Sequence, residues 1–114
     1  MTESQKKARI FKVLSVETRV RMIEMLKDRS LCVNALARAL GVSSAAVSQH
    51  LRVLRDAGAV QADKRGYFVH YRVNQETLGE WAEAARELLQ AEGTPVLIPR
   101  LPSRCPEGNK GGDD

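Results

Sequence analysis

The segment from Asn34 to Asn74 constrains this fold more than any other, because a helix, a tight turn, a second helix and a basic hairpin follow one another within it. Leu36, Ala37 and Leu40 lead into Gly41, a residue suited to the left-handed conformation that ends a helix. Val42 follows, and Ser43 is placed to cap the next helix, in which Val47, Leu51 and Leu54 recur at four- and three-residue spacing as a stripe for burial. Ala57-Gly58 closes that helix. Val60 to Val73 then reads as two strands with Gly66 near the turn. Alternation sets Phe68 and His70 on one face and Tyr67, Val69, Tyr71 and Val73 on the other, so one face packs and the other stays partly wet.

The flanks complete the pattern. Ala8, Phe11 and Leu14 have helical spacing within Lys6–Leu14 and predict a first helix. Ser15 is the expected N-cap of a second, with Glu17 in its first turn and Val20, Ile23, Met25 and Leu26 as its apolar stripe up to Asp28. Ser30-Leu31-Cys32-Val33 fits either a small edge strand or the start of the next helix, which begins near Asn34. Beyond Asn74, the sequence predicts a last helix over Glu76–Ala91 that buries Leu78, Trp81, Ala82, Ala85, Leu88 and Leu89 and stops at Gly93 and Pro95. We therefore expect one domain over residues 1–93 and a tail over residues 94–114, extended at first and disordered at its end, which holds all 4 prolines.

At 114 residues the chain has room for a modest core, and domains of this size often gain stability by pairing. It has no long apolar run that would span a membrane and no apolar leader, so a cytoplasmic location is expected. Its 18 Lys and Arg against 14 Asp and Glu give a net charge of +4, too small by itself to name a partner. The distribution says more. Between Ser30 and Asn74 lie Arg38, Arg52, Arg55, Lys64, Arg65 and Arg72, opposed only by Asp56 and Asp63, whereas the segment after Gln75 is acidic.

Burial of Val47, Leu51 and Leu54 would leave Ser44, Ala45, Ser48, Gln49 and Arg52 on the free face of the helix after Gly41. Such a face suits the DNA major groove: short side chains allow close approach, Gln49 can pair with adenine, and Arg52 can meet guanine or a phosphate. Taken alone, the same face would be no more than a solvated one. Lys64 and Arg65 at the hairpin turn shift the balance, since they would neutralise phosphates beside a docked helix. The joint pattern predicts a mainly α protein with a small β-hairpin wing, a winged helix-turn-helix of order α-α-α-α-β-β-α that binds double-stranded DNA.

Phe11-Lys12-Val13-Leu14-Ser15-Val16-Glu17-Thr18-Arg19, the run from Leu40 to Gly58 and the hairpin Lys64–Val73 together resemble the ArsR/SmtB family of bacterial repressors, over residues 8–91. The resemblance implies a homodimer whose interface is formed by the first and last helices, so that Phe11, Leu14, Leu78, Trp81, Leu88 and Leu89 divide between core and partner. It also implies a regulator that represses from an inverted-repeat operator, with Ser43, Ser44, Ala45, Ser48, Gln49, Arg52, Lys64, Arg65 and His70 at the DNA.

Family members that sense arsenite often carry Cys-Val-Cys near the third helix, where this chain has Cys32-Val33-Asn34. Soft ions prefer several thiolates, so Cys32 alone is insufficient and Cys105 is the candidate second ligand for arsenite or another soft metal ion, or a partner in thiol redox chemistry. A small inorganic inducer is the corresponding expectation. The plainer reading is the stronger: Cys32 as a small buried hydrophobe and Cys105 as an incidental exposed thiol. The family's other site, a zinc site on the last helix, is not expected, because Glu76, Glu80, Glu83 and Glu87 have no histidine among them. His50 is expected to pack or bond locally and His70 to approach DNA.

An enzyme is not expected. Ser48 and His50 are two apart on one helix and do not face each other, and no phosphate-binding glycine loop is present. The alternative reading is a winged-helix module for protein interaction without specific DNA binding, distinguishable by its weak dependence on salt.

Overall fold

The structure is a computed structural model, described here for residues 1–90; the expected tail and Cys105 lie outside the described residues. The elements are α1 (Glu3–Leu14), α2 (Glu17–Leu26), β1 (Leu31–Cys32), α3 (Val33–Leu40), α4 (Ser44–Asp56), β2 (Val60–Arg65), β3 (Phe68–Val73) and α5 (Gln75–Leu89). The core draws side chains from α1 to α4 and from β2 and β3, three of them from α4: Val13, Met22, Leu26, Leu36, Leu40, Val47, Leu51, Leu54, Val60 and Val73 are all buried. Each side chain of this size contributes about 1.5–3 kcal/mol on leaving water.

Helix ends follow local chemistry. Gly41 adopts φ 71° at the end of α3, and the amides of Gly41 and Val42 both donate to the Ala37 carbonyl, at 2.9 and 3.2 Å. This turn needs no side chain, and it delivers the chain to Ser43, whose hydroxyl accepts from the Ala46 amide at 3.1 Å and caps α4. Asn74 caps α5 in the same way, its Oδ1 accepting from the amides of Glu76 and Thr77.

The wing is an antiparallel pair, β2 with β3, in register from Val60↔Val73 to Arg65↔Phe68, closed by Gly66-Tyr67 with Gly66 at φ 64°. Cross-strand partners share a face. Val60, Ala62, Tyr71 and Val73 therefore line the side toward the core, as the alternation predicts. The expected two-stranded wing gains a third strand: Leu31↔Tyr71 and Cys32↔His70 pair β1 with β3, giving the order β1-β3-β2. The two readings of residues 30–33 are thus both realised, Leu31–Cys32 as strand and Val33 as the start of helix.

Four sequence expectations need correction. The stripe of α2 turns inward through Met22 and Leu26, while Val20 is exposed. Helix α1 begins at Glu3 rather than Lys6, because Thr2 and Gln5 form a reciprocal capping box with bonds of 2.8 and 3.0 Å. Ser15 does not cap α2; its hydroxyl donates back to the Lys12 carbonyl at 2.8 Å and finishes α1, leaving Val16 as the α2 N-cap without a side-chain bond. Finally, α5 has no buried residue: Leu78, Trp81 and Ala85 are half-buried, and Ala82, Leu88 and Leu89 are exposed.

Candidate nucleic-acid interface

Helix α4 is fixed in rotation by Val47, Leu51 and Leu54, all inside the core, so the opposite side is determined by helical geometry. Ser44, Ala45, Ser48, Gln49 and Arg52 are exposed on it, as expected, and Arg55 extends the strip one turn further. Ser43 is also exposed, although its hydroxyl is engaged in the cap. The Ser44 hydroxyl lies 3.2 Å from Asn34 Oδ1 and donates to it, tying the start of α4 to the first turn of α3. This bond ties the two helices of the turn together.

The wing continues the charged surface. Arg65 pairs with Phe68 and Lys64 with Val69, so successive side chains project from opposite faces of the ribbon and the two cations straddle it. Both are exposed. Between α4 and the wing lies an open hollow of about 520 Å³ lined by Ser48, Arg52, Arg55 and Tyr71, among others. It is concave and bordered by two guanidiniums, with the Asp56 carboxylate also in its wall.

The cations of this face that would meet DNA stand outside the ion pairs. Among the described residues, Lys6 pairs with Glu3, Lys7 with Glu87, Arg72 with Asp63 and Arg86 with Glu83, while Arg52, Arg55, Lys64 and Arg65 belong to no ion pair. Charges without an internal partner are the ones free to displace counterions from DNA. The Arg72–Asp63 pair, at 3.0 Å, braces the wing across β2 and β3.

Sequence reasoning counted Arg55 among the cations of this segment but did not place it on the reading face, although its position three residues after Arg52 was the available signal, and it gave no DNA role to the aromatic residues at the wing tip. There Tyr67 is fully exposed and Phe68 is 61% exposed. His70 sits in the central strand, opposite Cys32 on one side and Asp63 on the other, half-buried, with its Nδ1 buried and without a partner among the described residues. His50, expected to pack or bond locally, instead bonds across the fold, accepting at Nδ1 from Arg19 Nε at 3.3 Å. Burial, and then the neighbouring Arg19 charge, lower its pKa from the ordinary value.

Cys32 is a free, half-buried thiol at the N-cap position of α3. Among the described residues no three His, Cys, Asp or Glu side chains come together in a way that would hold a metal ion. None of the described helices is long and apolar enough to cross a membrane.

Residues 17–62 match the family model of the bacterial regulatory proteins of the arsR family. The chain is 37% identical over 76 residues to the arsenic resistance transcriptional regulator ArsR1 of Pseudomonas putida, covering 66% of this chain and 59% of that protein. It is 31% identical over 93 residues to the transcriptional repressor SmtB homolog of Synechocystis sp., covering 81% of this chain and 70% of that one. A homodimeric winged helix-turn-helix DNA-binding domain from Mycobacterium bovis superimposes with a TM-score of 0.61 at 25% identity, covering 81% of this chain and 89% of that one. Against ArsR1 the chain thus spans less than two thirds of its relative. With the fold, the family is one of transcriptional regulators rather than enzymes, and the chain belongs to the ArsR family.

Proposed function

We propose that this chain is a cytoplasmic, homodimeric repressor that binds an imperfect inverted repeat in double-stranded DNA and blocks transcription from it. The observation that carries the reading is the exposed basic strip, outside every ion pair among the described residues, that runs from the free face of α4, through Arg52 and Arg55, to Lys64 and Arg65 on the wing. Ser44, Ser48, Gln49 and Arg52 read base edges, and Ser43 and Ala45 keep the start of α4 slim enough for its backbone to approach the groove. Lys64 and Arg65 hold phosphates on either side of the ribbon, with His70 on the Arg65 face behind them. Two such units related by a two-fold axis place their α4 helices about 34 Å apart, one turn of DNA. The half-buried Leu14, Leu78 and Trp81, with the exposed Phe11, Leu88 and Leu89, form the seam between them.

Fluorescence anisotropy with a duplex selected by the protein and a random duplex tests the reading. Arg52→Ala is expected to weaken selected DNA by about 1–3 kcal/mol with little change on random DNA. Lys64→Ala is expected to weaken both alike and to reduce the salt slope by about 1. Equal losses on both duplexes for both variants would overturn the division of labour, and salt-independent binding would favour a protein-interaction module.

The inducer belongs to the same proposal. ArsR1 is named for arsenic resistance, and Cys32 occupies the start of the helix where a thiophilic ion would act on the α3–α4 unit. One thiolate does not make such a site, and no described cluster completes it, so arsenite or a soft metal ion would require Cys105 as the second thiolate. Release of the DNA by arsenite, abolished in Cys32→Ser and in Cys105→Ser, is the expected outcome. Release that survives both substitutions would place the inducer elsewhere.

A further inference from the structure

Few groups hold α1 to the rest of the chain. Val13 is its one buried residue, and on either side of Val13 run grooves of about 410 and 650 Å³ that separate α1 from Asp56 and Ala57 at the end of α4. Across this gap reaches Arg19, from the first turn of α2. Its Nη1 donates to the Val13 carbonyl at 3.1 Å, and its Nε donates to His50 Nδ1 on α4 at 3.3 Å. The Val13 carbonyl lies in the last turn of α1, where carbonyls have no partner within the helix. A guanidinium presents its donors in a rigid planar fork, so one side chain fixes the end of α1 and the middle of α4 relative to each other. A lysine, with a single ammonium, lacks that fork.

We infer that Arg19 is a positioning residue that couples α1, the helix on the partner-facing side, to α4, the helix on the DNA-facing side. The inference rests on the repressor reading and deepens it. The core stripe of α4 already fixes its rotation; the bond to His50 fixes its displacement relative to α1. In a two-fold dimer joined through α1 and α5, that displacement sets the spacing between the two α4 helices, and so the spacing of half-sites that both can enter together. His50 follows Gln49 directly on α4, so movement at His50 is movement of the reading face. To accept from Arg19, His50 must be neutral with its proton on Nε2. The depressed pKa agrees with that requirement.

The test uses the full chain and a selected inverted repeat, with variants of that duplex lengthened or shortened by one base pair between half-sites and a random duplex as reference. Wild-type protein should penalise the altered spacings. Arg19→Gln and His50→Leu should each bind the selected duplex about 10-fold more weakly, bind random DNA within about 2-fold of wild type, and lose most of the spacing penalty. The double variant should be no worse than either single one, because both remove the same bond. His50→Gln, whose amide oxygen still accepts, should keep most of the discrimination. Equal losses on selected and random DNA, additive losses, or an unchanged spacing penalty would overturn the coupling while leaving the repressor reading intact. Wild-type protein with no preference for any duplex drawn from a random pool would overturn the repressor reading instead. A nuclear magnetic resonance experiment on the Arg19 Nε–H keeps the bond testable even where a variant unfolds: slow solvent exchange in wild type is expected, and fast exchange there would overturn the proposal.

Discussion

Helices α4 and α5 have 13 and 15 residues, both carry an apolar stripe at helical spacing, and both begin with a side-chain cap, yet they meet different fates in the single chain. The stripe of α4 disappears into the core, with Val47, Leu51 and Leu54 all buried. The stripe of α5 stops half-way: Leu78 and Trp81 rest against the core, while Leu88 is 52% and Leu89 68% exposed. One helix is completed by its own chain and turns its polar face outward. The other leaves part of its apolar face outward, the face that the proposed seam would cover. In the proposed repressor, DNA reading would fall to the element whose geometry the monomer fixes, and assembly to the elements it leaves unfinished.

Leu54→Ala is the most severe way to break this contrast. The residue is fully buried, and truncation there should cost about 2–5 kcal/mol by lost transfer energy and the cavity left behind. Urea melts followed by circular dichroism measure it. Leu89→Ala, at an exposed position, should cost far less when each is measured in dilute protein. If the two substitutions cost the same, the distinction between a completed and an unfinished helix is wrong.

The double substitution Leu88→Glu with Leu89→Glu sharpens the other half. Burying two unpaired carboxylates in a dimer seam is costly, so the dimer dissociation constant should rise on the order of a hundredfold, with the helical content of each chain retained. Sedimentation measures the first and circular dichroism the second. Affinity for an inverted repeat should fall with the dimer, whereas a single half-site should still be bound weakly. A dimer that survives both glutamates would remove α5 from the seam.

How much of this contrast was legible in the sequence follows from what periodicity reports. The spacing of Val47, Leu51 and Leu54 predicts a buried stripe, Gly41 and Ser43 predict the turn and the cap, and the structure has all of them. The same logic predicts burial along α5 and finds half of it, because periodicity identifies an apolar face without identifying what covers it. Ser15 was misassigned for a related reason: a serine hydroxyl accepts from an amide ahead of it or donates to a carbonyl behind it, and only the packed structure selects Lys12. Strand β1 depends on β3, some forty residues away in sequence, so the local composition of Leu31–Cys32 left both options open. In the interface, the exposed face of α4 and the wing cations were readable. The Arg19 bond to His50 was not, since it spans 31 residues and joins two polar side chains that the sequence does not relate.

The smallest expected effect is one of pH, and it separates the same two helices. α4 contains His50 and α5 contains no histidine. Burial and the Arg19 charge push the His50 pKa below its ordinary value of 6.5, so the folded protein refuses a proton that the unfolded chain accepts. The sign follows: above 6.5 neither state carries the proton and stability is unaffected, and as pH falls from 6.5 toward the lowered folded value the unfolded state gains. Urea midpoints of wild type and His50→Gln, compared at about pH 7.5 and about pH 5.5, isolate this contribution, because every other group, His70 included, is common to both proteins. Wild type should lose slightly more stability on acidification than the variant does. The dimer constant, which the proposed seam assigns to α1 and α5, should show no corresponding difference between the two proteins. If His50→Gln alters the acid response of the dimer as strongly as that of the fold, protonation at α4 reaches the seam, and the two regions are more tightly joined than a single guanidinium accounts for.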